Sequence, residues 1–201
     1  MLDTLLEWDQ WLFHLINYDW HNGFLDQMMP LWREKKVWIP LYILLAGFVF
    51  YRFRWKGLYF VLAAVLTIAI ADPVSSQLIK KNFQRERPCR AAHLDKEVKL
   101  LVPCGGGYSF TSSHATNHFA LGAFLFLTVG RLIGRWRWLF LLWAASIAFG
   151  QVYVGVHYPL DVTVGGLVGF LIGWLIYRLY SSIPSIRIPE FTDQPPPQPA
   201  V

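Results

Sequence analysis

Charge is scarce in this chain. Lys, Arg, Asp and Glu together make up 15% of its 201 residues, while 55% are hydrophobic. That balance excludes a typical soluble domain. The N-terminus lacks the basic stretch and small-residue cleavage site of a signal peptide, so no removable leader is expected. Basic residues are scattered and are not interleaved with aromatic ones, which argues against stacking on nucleic acid. There is no internal repeat and no pair of Gly/Pro-broken spans, features that a transporter built on inverted repeats would show.

Aromatic residues, in contrast, are abundant, with 10 Trp, 9 Tyr and 15 Phe. They sit in and beside apolar runs, as aromatic belts at two membrane surfaces would. We read an all-α, polytopic membrane bundle of about five spans, in three parts. Residues 1–34 form an interfacial amphipathic segment, 35–181 the membrane domain, and 182–201 a disordered Pro-rich tail. The expected spans are Val37–Tyr51, Gly57–Ala71 with a helix continuing towards Lys81, about His114–Ile133, Trp138–Val156 and Pro159–Tyr180. Two short loops carry Arg52, Arg54, Lys56, Arg131, Arg135 and Arg137 without an acid between them, which places them on the cytoplasmic side. The long loop Arg85–Ser109 and the turn at His157 then face outwards, across the cytoplasmic membrane. Cys89 and Cys104 both lie in that loop and read as a disulfide or as two separate thiols.

Three polar stretches interrupt the apolar pattern on this outer side. In Gly150–Val162, His157 and Asp161 are costly residues at a membrane edge, and such groups mark function or a structural hydrogen bond. In Lys80–Pro88, Lys80 and Arg87 are seven apart; a continuing helix would set them on one face, about 10 Å apart. That suits a phosphate, or simply anionic head groups at a basic helix end. In Thr111–His114, Ser112 and Ser113 can cap a helix and direct free N–H groups at an anion, with His114 alongside. His114 and His118 are also an i,i+4 pair, but the H-E-x-x-H pattern of zinc enzymes is absent. Asp72 reads as a partner for Lys80, Arg87 or the nearby serines.

Together these stretches resemble the type 2 phosphatidic acid phosphatase family, which contains membrane lipid phosphatases and, more distantly, vanadium haloperoxidases. Lys80, Arg87 and Pro88 match its first motif, K-x6-R-P. Thr111-Ser112-Ser113-His114 stands where the family has P-S-G-H, and Gly150-Gln151 with His157 and Asp161 where it has S-R-x5-H-x3-D. The resemblance implies that His157 attacks phosphorus, that Asp161 orients it, and that His114 is the proton donor and then the base. It implies that Lys80, Arg87, Ser112 and Ser113 hold the phosphoryl oxygens, with Gln151 in place of an arginine and no metal or cofactor needed. The expected substrate is a lipid phosphate drawn sideways from the bilayer: undecaprenyl diphosphate first, then phosphatidylglycerol phosphate, phosphatidic acid or lipid A phosphate. A weakened member that only binds anionic lipid, and a small transporter, are the competing readings.

Overall fold

The computed structural model describes residues 2–91 and 98–189. Part of the long loop and the end of the Pro-rich tail, residues 190–201, therefore lie outside the described residues. Those described form helices and loops, with no β-strand among them. The helices are α1 (Leu2–His14), α2 (Gly23–Trp32), α3 (Ile39–Phe53), α4 (Trp55–Pro73), α5 (Lys80–Phe83), α6 (Ser113–Leu127), α7 (Trp138–Tyr153) and α8 (Pro159–Ser181). A π-helical stretch, Val74–Ile79, joins α4 to α5, so the helix does continue towards Lys81.

Among the described residues, four helical stretches are long and apolar enough to cross a membrane: Lys35–Phe53, Trp55–Phe83, Val129–Tyr153 and Pro159–Ser181. The third expected span differs. Its helix, α6, has 15 residues, about 22 Å against a hydrocarbon core of about 30 Å. It stops at Leu127 instead of Ile133 because Thr128 leaves helical geometry, its hydroxyl donating to the Phe124 carbonyl at 2.6 Å. A 3-10 stretch, Val129–Arg137, then carries the basic residues to the surface. The short helix suffices because α6 is the centre of the bundle, with Ala115, Ala120, Ala123 and Phe124 fully buried.

Glycine makes that central position available. Gly165, Gly169 and Gly173 recur every fourth residue on α8 and face α6. A Cβ on Gly169 would lie 2.1 Å from the Thr116 carbonyl oxygen, and one on Gly173 2.2 Å from that of Ala120. In a bilayer, where lipid is as apolar as leucine, such close backbone approach is what holds helices together.

The N-terminal segment packs differently from a simple interfacial helix. Asp9 and Phe13 on α1, with Ile16 on the π-helical turn Leu15–Asp19 that follows it, form the buried stripe, while Trp8 and Trp11 are exposed. Asn17 then clasps two distant segments: its amide donates to the carbonyls of Lys99 (2.9 Å) and Tyr153 (2.7 Å) and accepts from the Lys99 N–H. At the other end, residues 182–189 turn back on the bundle and bury Ile188, whose N–H donates to the Tyr180 hydroxyl at 2.8 Å.

Candidate active site

The site lies where α6 and α8 begin and α7 ends. Pro159 opens α8, a position where its missing N–H costs nothing, and Asp161 sits in the first turn. One Asp161 oxygen accepts from the Tyr158 N–H at 2.9 Å, capping α8. The Ser112 N–H donates to the Asp161 carbonyl at 3.0 Å, which ties the start of α6 to the start of α8. Two helix N-termini thus converge on one spot, a favourable setting for an anion.

His157 occupies the turn between α7 and α8 and is 2% exposed. Arg87 Nη1 lies 3.2 Å from its Nε2. A guanidinium has no lone pair to offer, so Nε2 must accept this bond and the ring proton must sit on Nδ1. Nδ1 faces the Ser109 hydroxyl at 3.3 Å and Asp161 Oδ2 at 3.5 Å, and Ser109 in turn donates to that same carboxylate oxygen. The contact between Asp161 and His157 is therefore largely relayed through Ser109. Burial pushes the His157 imidazole down to about 4, and the charges of Arg87 and Lys80 add to this against the pull of Asp161. The ring is neutral at pH 7, with its lone pair on the nitrogen that faces Arg87.

Lys80 and Arg87 reach this spot, but not from one helix face. Gln84 takes the left-handed conformation, φ 47°, and ends the helix at Phe83. Arg87 is therefore presented from extended backbone. Lys80 donates to the carbonyls of Tyr108 (2.9 Å) and Ser109 (3.3 Å). Arg87 donates to the carbonyls of Val156, Gly106 and Gly107. A disulfide joins Cys89 to Cys104, 15 residues apart, and so pins Arg87 to the glycine run that follows Cys104. Closing a loop of that length is worth about 3 kcal/mol in the chain-entropy model.

The remaining expected residues are present with specific partners. The Ser112 side chain caps α6, accepting from the Ala115 N–H at 3.4 Å, and Ser113 bonds the Ser75 hydroxyl at 3.0 Å. Gln151 is fully buried and accepts two hydrogen bonds from Arg33. Among the described residues Asp72 makes no hydrogen bond to Lys80, Arg87 or the serines, though its charge acts on Lys80 through space; it accepts from Asn117 at 2.8 Å. His118 Nδ1 lies 2.7 Å from the His114 carbonyl. Among the described residues no three His, Cys, Asp or Glu side chains gather as metal ligands.

Four contributors escaped the sequence reading: Asp9, Arg33, Arg85 and Ser109. Arg85 donates to Asp161 Oδ1 at 2.8 Å and to Asp9 Oδ2 at 2.6 Å, with its guanidinium 3.9 Å from the centre of the Tyr158 ring. Asp9 also accepts from the Leu160 N–H at 2.7 Å. The available signal was the spacing of Asp9 with Phe13 and Ile16, which marks Asp9 as part of the buried stripe. Breaking a buried pair costs about 3–5 kcal/mol. Because Arg85 is partly exposed and keeps Asp161, we expect Asp9→Ala to lower stability by about 2–3 kcal/mol, read as a fall in Tm in detergent. An unchanged Tm would mean that α1 does not brace the catalytic end.

Beside His114 an apolar groove of about 700 Å³ runs between α3, α4 and α6, its wall including Ile43, Val65, Ile68 and Leu121. Lys35, Asp72, Ser113, His114 and Asn117 form its polar end.

Comparison with known proteins identifies this arrangement. The family model of the PAP2 superfamily matches residues 56–184, which include all three polar stretches. The chain belongs to the PAP2 superfamily. It is 33% identical over 161 residues to the lipid A 4'-phosphatase of Bacteroides thetaiotaomicron, covering 78% of this chain and 70% of that one. It is 32% identical over 186 residues to the undecaprenyl-diphosphatase of Sulfolobus acidocaldarius, covering 89% and 82%. The crystal structure of Aquifex aeolicus LpxE superposes with a TM-score of 0.63 at 26% identity, covering 83% of this chain and 93% of that one. This PAP2 protein is an integral membrane lipid phosphatase, a hydrolase of phosphate esters.

Proposed function

We propose that the protein removes a terminal phosphate from a lipid phosphate or diphosphate through a phosphohistidine. The observation that carries this reading is the tautomer of His157, with Nε2 bare, held by Arg87 and backed by Ser109 and Asp161. In the first step Nε2 attacks phosphorus as the bond to the leaving oxygen breaks, and His114 gives that oxygen a proton. In the second, His114 takes a proton from water, which displaces Nε2 and releases inorganic phosphate. Arg87 redirects its N–H from Nε2 to a phosphoryl oxygen as attack begins, alongside Lys80 and the N–H groups at the start of α6. Charge on those oxygens is what a phosphoryl-transfer site has to stabilise.

The groove ending at His114 supports a substrate whose apolar chain lies between α3, α4 and α6 while its phosphate sits at the catalytic end. Undecaprenyl diphosphate is the first candidate, because one long apolar chain suits an apolar groove of this volume. Lipid A phosphate is the second, favoured by the names of relatives that cover most of this chain. The test is phosphate release by purified protein in detergent with EDTA. The substrates are undecaprenyl diphosphate, 4'-phosphorylated lipid A and phosphatidylglycerol phosphate. A clear preference identifies the chain that the groove accepts; failure on all three, with anionic lipid still bound, would replace the enzyme by a binder.

We further propose that the catalytic end faces outwards across the cytoplasmic membrane, because the basic loops lie at the opposite end of the bundle and the disulfide needs an oxidising compartment. In whole cells a Tyr108→Cys variant should then react with a membrane-impermeant maleimide. Protection there would reverse the orientation.

The buried imidazole also sets a pH dependence. His157 attacks only when neutral, and it takes up a second ring proton only near pH 4, against 6.5 for an ordinary histidine. We expect protonation of the nucleophile to cause no fall in kcat/KM, corrected for the substrate's own ionisation, as pH drops from 7 to about 5. The same shift contributes stability that is complete above about pH 6.5 and is lost as pH falls towards 4. An acid limb at 6.5 would place the nucleophile in a wetter site than this one.

A further inference from the structure

The Arg33 guanidinium feels the carboxylate of its chain neighbour Glu34, but no acid touches it among the described residues. It follows α2, is half-buried against α7, and makes no ion pair among the described residues. Its Nε and Nη2 both donate to Gln151 Oε1, at 3.1 and 2.9 Å. Two of the five guanidinium N–H groups are thereby used, and no protein acceptor takes the other three among the described residues. A neutral amide orients this charge without neutralising it, and partial burial of an unpaired guanidinium is costly. Gln151 itself is fully buried, and its Nε2 has no partner among the described residues, so a second donor stands in the same place.

The surroundings give this unpaired charge a direction. Gln151 is on the last turn of α7, which leads directly into His157. Arg87, the residue bonded to His157, is pushed below its ordinary value by burial and by Arg90, with Arg33 adding to the push against the pull of Asp161. Arg33 therefore shares the electrostatic environment of the catalytic end. Its stem is seated closely: a Cβ on Gly150 would meet Arg33 Cβ and Met29 Sδ at 3.6 Å, ordinary van der Waals contact. Gly150 and Gln151 thus form a seat for Arg33, one by its lack of a side chain and the other by its carbonyl oxygen.

We propose that Arg33, delivered from the N-terminal segment and oriented by Gln151, is a phosphate-binding residue of this active site. Gln151 is then a positioning residue whose carbonyl aims the guanidinium. This rests on the phosphatase reading above and extends it to a third cation beside Lys80 and Arg87. It also gives the first 34 residues a part in substrate binding.

The test measures binding of orthovanadate, a mimic of pentacovalent phosphorus, by calorimetry in detergent, alongside turnover of the preferred lipid. Charge-assisted hydrogen bonds to phosphate make Arg33→Ala weaken vanadate binding and lower kcat/KM by about tenfold to a hundredfold. Arg33→Lys, which keeps the charge and the packing stem, recovers part of the loss and serves if the alanine variant does not fold. Adding Gln151→Arg to Arg33→Ala restores binding to within a few fold of the parent, an outcome that a purely structural Arg33 would not produce. Vanadate binding within twofold of the parent in both Arg33 variants overturns the proposal. So does a tenfold gain from Gln151→Arg in the parent, which would show position 151 to be an unfilled phosphate contact. A parent that binds vanadate through Arg33 but turns over no lipid leaves the proposal standing and removes the phosphatase reading. A parent that binds no vanadate removes both.

Discussion

Replacing His157 with alanine is expected to lower phosphate release by about 10⁴-fold or more, with the fold retained. The size follows from the proposed role: losing the nucleophile of a cooperating set costs nearly as much as losing the whole set. Retention of the fold follows from the contacts. Arg87 Nη1 loses His157 Nε2 but keeps the Val156 carbonyl at 3.0 Å, and Ser109 keeps its bond to Asp161. The only vacancy is the space of one imidazole. Asp161→Asn should behave differently, because Asp161 also holds Arg85, Ser109 and the Tyr158 N–H. That variant loses stability as well as turnover. Single-turnover assays with EDTA, paired with melting curves, separate the two. A His157→Ala protein retaining more than about 1% of parent turnover would take histidine out of the nucleophile's position.

Replacing Gly169 with leucine should prevent assembly of the bundle. Even alanine would put a Cβ 2.1 Å from the Thr116 carbonyl oxygen, and that oxygen belongs to a helix backbone that cannot rotate away. Overpacking of this kind costs about 1–3 kcal/mol for alanine and more for a branched side chain. Moving α6 off α8 also undoes the Ser112 N–H bond to Asp161 and separates His114 from His157. Gly47→Ala is the control: nothing lies within 4 Å of a Cβ there, and a mid-helix alanine should be neutral or stabilising by up to about 1 kcal/mol. Thermal unfolding in detergent would show Gly169→Ala well below the parent and Gly47→Ala at or above it. Equal melting temperatures would refute close packing of α6 on α8.

The N-terminal segment acquires a function from these contacts. Asp9 braces the arginine that holds Asp161, Asn17 clasps the loop to the end of α7, and Arg33 leans on Gln151. An interfacial helix that only anchored the protein would need none of these bonds. Trp8 and Trp11 remain free to face lipid while Asp9 faces the bundle, so one short helix serves both membrane and site.

Much was legible in the chain itself. Apolar runs bounded by aromatic and basic residues mark membrane helices because burying polar groups in hydrocarbon is costly, and that cost acts on each segment separately. The polar stretches around Lys80, Ser112 and His157 stood out for the same reason, and their order and spacing led to the family. The tertiary structure decided what depends on which faces meet. Thr128 ends α6 early, and burial among α4, α7 and α8 makes the short helix sufficient. The route of Arg87 was set by a left-handed residue, Gln84, that hydropathy does not register. Arg85 meets Asp161 across 76 residues, Ser109 across 52, and Arg33 meets Gln151 across 118. Local periodicity encodes how each helix buries its own stripe. Which buried side chain then meets which is settled only when several stripes dock at once.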